Sequence, residues 1–168
     1  HDLHPGYFST QYAREYARHR GIKDVLAVQH HWAHAAAVMA EHHLSGQVIG
    51  LMADGTGYGP DGAIWGCECL ICSLTDFKRF GHLEYYPLAG GDLASVEPIR
   101  PILGLCKTAG LEIPPDILER IEPSRHKIEL LGQQIDKNFL TVPTSSLGRL
   151  FDAAAALAGI GNYNYFEA

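Results

Sequence analysis

Long apolar runs are missing from this sequence. No stretch approaches the roughly 20 apolar residues that a membrane-spanning helix requires. Surplus positive charge is missing too: 13 Lys and Arg stand against 19 Asp and Glu, a net charge of −6 with histidine neutral. A dominant nucleic-acid or anionic-membrane surface needs Lys and Arg in excess, so neither is expected as the main partner. The first residues, HDLHPGYFST, lack both a basic start and an apolar stretch, so they do not read as a signal peptide. An initiator methionine is also lacking, and the chain is expected to start inside a longer protein or after processing. Cysteine is scarce. Without a secretion signal, Cys67, Cys69, Cys72 and Cys106 are expected to be reduced thiols in a cytoplasm. What is present is the make-up of a folded chain: 168 residues, 46% hydrophobic and 19% charged. That is roughly one domain, long enough to bury a core without disulfides. Ten histidines are the unusual count, and they direct attention to metal or proton chemistry.

The pattern along the chain alternates. Residues 6–20 read as a helix with Ser9 or Thr10 as cap and Gly21 after its end. Asp24 to Gln29 reads as a short apolar strand. His31 to Leu44 is rich in Ala, His, Met and Glu and reads as a helix, stopped by Ser45-Gly46. Gln47 to Ala53 reads as a buried strand that runs into DGTGYGPDG, a turn by composition. Ala63 to Leu74 and Phe77 to Leu88 follow as strands, so residues 47–88 are expected to form an antiparallel meander. The second half is expected to be helical: Leu93 to Ala109, limited by Pro98 and Pro101, then Pro115 to Ile121 and Ser124 to Lys137. A last helix spans Leu147 to Ala158, capped by Thr144, Ser145 or Ser146, with Gly159 and Gly161 at its end. The class is α/β.

Several residues have chemistry to offer. His30 and His34, four apart, share one helix face and can hold one cation. His31 and His34 would face one another nearly as well, and spacing does not choose between the pairs. An arbitrary pair of this kind is more often a polar, hydrogen-bonded face. Asp54 ends a buried strand, where α/β folds place ligand groups. Gly55, Gly57 and Gly59 would let backbone N–H groups approach a phosphate, and Thr56 adds a hydroxyl. On its own, the segment reads as a tight Asp-Gly turn. No Lys follows its last glycine, so it is not a Walker-type phosphate loop. Cys67 and Cys69 alternate onto one strand face and Cys72 onto the other, which speaks against a zinc site. Asp152 lies three residues after Arg149 in an Ala-rich helix, and spacing favours a local ion pair. No nucleophile–base set is apparent.

Taken together, DLHPGYFST, VQHHWAH, DGTGYGPDGAIWGCE and SSLGRLFDAAAALAG stand in an order that closely resembles the HypF family of hydrogenase maturation carbamoyltransferases. The part resembled is the middle of its transferase domain, which is related to the tRNA threonylcarbamoyl transferase TsaD and to antibiotic O-carbamoyltransferases. The resemblance implies a partial actin–hexokinase-type (ribonuclease H-like) fold with two lobes and a nucleotide cleft. Residues 1–46 would end the first lobe with a metal-binding helix, and 47–168 would begin the second lobe with a helical insertion. It also implies transfer of a carbamoyl group from carbamoyl-adenylate, made from carbamoyl phosphate and ATP elsewhere in the full-length protein. The acceptor would be the C-terminal cysteine of HypE, on the way to the cyanide ligands of nickel–iron hydrogenases. Carried over residue by residue, the metal ligands fall on His30, His34 and Asp54, and Fe(II) or Zn(II) would suit them. The carbamoyl-adenylate would meet Asp54, Gly55, Thr56, Gly57 and Tyr58. Gly148 and Asp152 would lie at the ribose, which reverses the ion-pair reading. The resemblance assigns no nucleophile or general base to this stretch. The family's upstream activating domains and the downstream half of the second lobe are expected to be absent, the chain stopping at NYNYFEA. Two alternatives follow: another acceptor, as in TsaD or the O-carbamoyltransferases, or a metal-binding segment that turns over nothing by itself. Where the family reads IWGGE this chain reads IWGCE, so Cys67 tests the backbone packing there.

Overall fold

The computed structural model describes residues 1–165. The end of the NYNYFEA segment, residues 166–168, lies outside the described residues. Seven helices and five strands are found among the described residues. Helices α1 (Phe8–Arg20) and α2 (His30–Glu41) come first, followed by strands β1 (Val48–Tyr58), β2 (Ile64–Cys72), β3 (Phe77–His82) and β4 (Tyr86–Ala89). Helices α3 (Leu93–Val96), α4 (Ile99–Ala109), α5 (Pro115–Ile121) and α6 (Arg125–Asp136) lead to β5 (Thr141–Thr144) and α7 (Leu147–Leu157). None of the helices is long and apolar enough to cross a membrane.

The α/β reading holds, with four differences of detail. Asp24 to Gln29 forms no strand: residues 24–27 are exposed, Gln29 is buried, and the segment makes one isolated parallel bridge, Val28 to Asp2. An extended apolar segment without a neighbouring edge has no ladder to join. Neither Ser9 nor Thr10 caps α1. Tyr7 holds that position, and buried Thr10 instead donates its hydroxyl to the Asp2 carbonyl at 3.1 Å. The DGTGY segment is not a turn. It continues β1, and the reversal is confined to Gly59–Gly62, closed by hydrogen bonds of 2.9 and 3.0 Å. Within it the register jumps from Ala53 opposite Cys67 to Gly57 opposite Trp65, so β1 carries excess chain there, as in a bulge.

The fourth difference concerns the meander. β1, β2 and β3 do form one, but the chain breaks at residues 83–85, and β4 pairs with β5. β5 lies parallel to β2 through Ile64 and Thr144, so the sheet is mixed, in the order β1-β2-β5-β4, with β3 also on β2. Pro87 sits opposite Pro143 in the β4–β5 pair. Neither proline can donate, so the two belong together at a pair that exchanges no hydrogen bonds.

α2 packs on β1 and β2, burying Ala35 with Trp65, Leu70 and Cys72. The second core joins α4, α5, α6 and α7 around Ile99, Ile102, Ile121, Leu131, Ile135, Ala153 and Ala156, with Ala89 of β4. α4 approaches β4 so closely at Gly104 that a Cβ there would stand 2.0 Å from the Pro87 carbonyl oxygen. That contact is backbone and cannot rotate away. Gly104→Ala is therefore expected to cost about 1–3 kcal/mol through overpacking. Urea unfolding checks this, and a loss under about 0.5 kcal/mol, the range of ordinary surface changes, would contradict it.

Candidate metal centre and adjoining cleft

The site forms where the start of α2 meets the bulged part of β1. Gln29 caps α2 by accepting from the Trp32 N–H at 2.9 Å, which fixes the first helical turn. That turn presents His30 and His34 side by side, with their Nε2 atoms 3.2 Å apart. Asp54 Oδ2 reaches them from β1, 3.2 Å from His30 Nε2. One ligand atom each from His30, His34 and Asp54 lies within 4.8 Å of the others. Two ligands held about 2.1 Å from one cation stand roughly 3–3.5 Å apart, so the separations at His30 fit a shared ion. Two imidazoles and a carboxylate suit Fe(II) or Zn(II) alike.

Two further residues orient these three. The Asp2 carboxylate lies 2.8 Å from His30 Nδ1. With the proton on Nδ1, Nε2 keeps its lone pair for an ion, the usual carboxylate–histidine arrangement behind a metal. His31 is fully buried, and its Nε2 lies 3.3 Å from Asp54 Oδ2. The Gln29 amide nitrogen is 3.2 Å from His31 Nδ1, so Gln29 donates there and the His31 proton sits on Nε2, facing Asp54. The His31 side chain is the largest influence holding the Asp54 carboxyl down from 3.8 to about 2. Burial opposes it, while the Gly55 N–H at 2.7 Å and the electrostatic influence of the His31 and His30 rings add to it. Asp54 is thus ionised, as a ligand must be. His31 needs space to do this: a Cβ on Gly57 would stand 2.3 Å from its ring. Spacing left His31 and His30 as rivals. In the structure His30 joins His34, and His31 supports Asp54 from behind.

Beside this cluster lies a cleft of about 540 Å3. Asp54, Thr56, Gly57 and Tyr58 of β1 line one part of it, and Arg149 of α7 another. The His4 and Tyr7 rings lie 4.4 Å apart, tilted by 33°, in its lining, and His4 meets the Tyr58 ring edge-on at 5.2 Å. Burial first, then the charges of Asp2 and Asp54, raise the Tyr7 hydroxyl above its usual range, so it stays neutral.

The SSLGRLFDA segment meets β1 at close range. Ser146 caps α7, accepting from the Arg149 N–H at 3.1 Å, and its hydroxyl donates to the Gly55 carbonyl. A Cβ on Gly148 would stand 2.8 Å from the Gly55 Cα. A Cβ on Gly66 would come within 2.6 Å of the Asp54 carbonyl oxygen and 2.7 Å of the Ser146 Cα. The crowded residue of IWGCE is therefore Gly66. Cys67 is half-buried, opposite Ala53, and leaves that contact intact. Gly55 and Gly148 are thus packing partners and do not line the cleft, and neither does Asp152. Asp152 Oδ2 lies 2.6 Å from Arg149 Nε, the local pair that spacing favoured. The orienting carboxylate of Asp2 went unassigned in the sequence, where His31 was weighed only as a partner of His34 and Arg149 only as a partner of Asp152. The DLHPG motif, at least, had singled out the segment that holds Asp2.

Known proteins resemble this chain along nearly its whole length. Residues 1–41 match the family model described as the HypF Kae1-like domain. Residues 50–168 match that of the carbamoyltransferase Kae1-like domain, second subdomain. Carbamoyltransferase HypF2 of Cupriavidus necator is 42% identical over 95% of this chain and 19% of its own length. A probable carbamoyltransferase HypF of Methanocaldococcus jannaschii is 39% identical over 95% of this chain and 21% of its own. The crystal structure of full-length HypF in the phosphate- and nucleotide-bound form superposes with a TM-score of 0.85 at 41% identity. The superposition covers 99% of this chain and 21% of that one. HypF of T. kodakarensis superposes at 0.86, with 38% identity and coverage of 99% and 23%. The chain thus spans about a fifth of the length of these relatives. The match of the second-subdomain model across residues 50–168 places the chain in one family: it belongs to the HypF carbamoyltransferases.

Proposed function

We propose that this chain forms part of the site where a carbamoyl group passes from carbamoyl-adenylate to an acceptor thiol in nickel–iron hydrogenase maturation. The observation that supports it most is the convergence of His30, His34 and Asp54, the last of which also lines a nucleotide-sized cleft. His30 and His34 hold the ion, Asp54 completes the set from β1, and Asp2 and His31 keep both sides in register. The ion, Fe or Zn, supplies Lewis-acid stabilisation of charge on a carbamoyl or phosphate oxygen. Thr56, Gly57 and Tyr58 border the adenylate. The tight contact of Gly148 on Gly55 fixes the β1 backbone that presents them. Residues 1–46 and 47–168 belong to two lobes of an actin–hexokinase-type fold, and the cleft lies between them.

The acceptor is the C-terminal cysteine of a HypE-like protein. Carbamoyl phosphate and ATP enter through other parts of the full-length protein. Four free thiols suit a cytoplasmic setting. A chimera tests the reading: HypF2 of Cupriavidus necator with its matching segment replaced by this chain. It should move a labelled carbamoyl group from carbamoyl phosphate to the acceptor cysteine in the presence of ATP. A folded, nucleotide-binding chimera that labels no acceptor would sink the proposal.

A further inference from the structure

The DLHPG motif supplies more than Asp2. Asp2 Oδ2 lies 2.8 Å from His30 Nδ1, and its Oδ1 accepts from the His4 N–H at 2.7 Å. One carboxylate therefore ties the ring of a metal ligand to the backbone of His4. The Tyr7 N–H donates to the His4 carbonyl at 3.4 Å, which closes residues 4–7 into a turn. The same turn holds the His4 ring. The Gly6 N–H donates to its Nδ1 at 3.2 Å, and a Cβ on Gly6 would stand 3.0 Å from its Cε1. His4 and Tyr7 both line the cleft that Asp54 lines.

Each of the two offers a proton to that cleft. Because Nδ1 accepts from Gly6, the neutral His4 ring carries its proton on Nε2. Burial first, then the charges of Asp2 and Asp54, keep the proton on the Tyr7 hydroxyl. Among the described residues, the hydrogen bonds of His4 and Tyr7 use their backbone and the His4 Nδ1 alone, which leaves Nε2–H and the phenol O–H to a ligand. Both groups are donors, not bases. An oxyanion is what such a pair suits. The carboxylates of Asp2 and Asp54 stand close by, and an anion placed beside them needs a cation and donors to offset their charge.

We infer that His4 Nε2–H and the Tyr7 hydroxyl donate to the phosphate of the adenylate, on the Asp54 side of the cleft, and are catalytic residues of the transfer. The inference rests on the transfer reading given above and adds the groups that stabilise the leaving phosphate. The acceptor thiolate, its proton already lost to water, attacks the carbamoyl carbon. The C–S bond forms, the C–O bond to the phosphate breaks, and AMP leaves with that bonding pair. The phosphate gains one negative charge. Donors fixed in advance stabilise that growing charge more than they stabilise the ground state. His4 and Tyr7 are fixed in this sense, because Asp2 sets their turn against His30.

Two measurements test this. The first is calorimetric titration of this chain, with Zn(II) bound, by AMP and by adenosine. Tyr7→Phe and His4→Ala should each weaken AMP roughly 10- to 100-fold, the range for hydrogen bonds to a charged group, and leave adenosine unchanged. Zinc content should stay at the wild-type level. His4→Gln, whose amide nitrogen can stand where Nε2 stands, should keep most of the AMP affinity. The second is the single-turnover rate of acceptor labelling in the HypF2 chimera that carries this chain. It should fall at least as far as AMP affinity in Tyr7→Phe and His4→Ala. Full AMP affinity and transfer rate in either variant, equal weakening of AMP and adenosine, or a loss that follows loss of zinc overturns the inference and leaves the transfer reading standing. An unsubstituted chimera that labels no acceptor, or a wild-type chain that binds neither ligand, overturns both.

Discussion

His30→Ala combined with His34→Ala leaves the chain unable to retain Zn(II) or Fe(II), with affinity lowered by well over about 100-fold, more than loss of an outer-shell partner costs. Those two imidazoles contribute the close pair of nitrogens, 3.2 Å apart, and without them Asp54 is a single ligand. The more discriminating variant is Asp2→Asn. Asp2 touches no ion, yet it lies 2.8 Å from His30 Nδ1 and fixes which nitrogen of that ring is free. Its loss is expected to cost roughly 10- to 100-fold in metal affinity. Stability should hardly change, since the side chain still fits. His31→Ala differs again: it removes a buried ring that both supports Asp54 and fills the space left by Gly57, so fold and metal affinity should fall together. Competition with a chelator of known affinity, followed under anaerobic conditions for Fe(II), reads all three. If Asp2→Asn binds as tightly as the wild type, Asp2 has no part in the site. If the double histidine variant does so, the cluster is no metal centre.

The difference between Asp2 and His34 marks how much could be read from residues alone. His30, His34 and Asp54 are legible because each obeys a local rule. The two histidines share a helical spacing, and the carboxylate stands near the end of an apolar run. Asp2 obeys none, and the one that His31 obeys, its spacing from His34, does not point to Asp54. Asp2 reaches His30 only because Val28 bridges back to it, a contact between segments about 25 residues apart in sequence. His31 is defined by a bulge in β1 that lets Gly57 pass against its ring, and a bulge is a property of two strands in register. The same reasoning explains the strands. Alternation in β2 was readable, down to buried Cys72 opposite in sense to half-buried Cys67 and Cys69. β5 was not: four residues with a central proline make no pattern, and TVPT becomes a strand through its partners Tyr86 to Ala89. Helix caps divided in the same way. Ser146, one of three candidates, caps α7, whereas Ser124, read as the first residue of its helix, caps α6 instead, and at α1 the tertiary contact of Thr10 with Asp2 overrode the local option.

Glu68→Ala should be the most damaging single change to the fold, about 3–5 kcal/mol, the usual cost of removing one partner from a buried ion pair. The Glu68 side chain has no exposed surface, and Arg79 is nearly as enclosed. Oε2 accepts from Arg79 Nε at 2.6 Å, and Oε1 accepts from the Gly66 N–H at 3.1 Å and from the Ser145 hydroxyl. Arg79 also lies over the Trp65 ring at 3.9 Å and donates to the Tyr85 hydroxyl at 2.6 Å, which in turn donates to Asp61. Asp61 accepts from the Trp65 indole N–H at 2.9 Å and holds the turn at Gly59–Gly62. One carboxylate thus ties β2, β3, the β1–β2 turn and the residues that start α7. A domain of this size has only about 5–15 kcal/mol of stability in total, so Glu68→Ala stands close to unfolding it. Replacing both ends, Glu68→Met with Arg79→Leu, should recover most of the loss, because the cost comes from the charge left behind. Urea unfolding of the three variants decides this. A loss below about 1 kcal/mol in Glu68→Ala, the worth of an exposed ion pair, would mean that water reaches Arg79 freely. If it were the double variant that unfolded and the single one that did not, packing around Trp65 would outweigh the charge. The network also bears on the site, because Ser145 precedes the residue that caps α7 and holds the Gly55 carbonyl. A Glu68→Gln protein that stays folded should therefore bind nucleotide more weakly and lose less of its metal affinity, since of the three ligands only Asp54, beside Gly55, adjoins this network while His30 and His34 stand on α2.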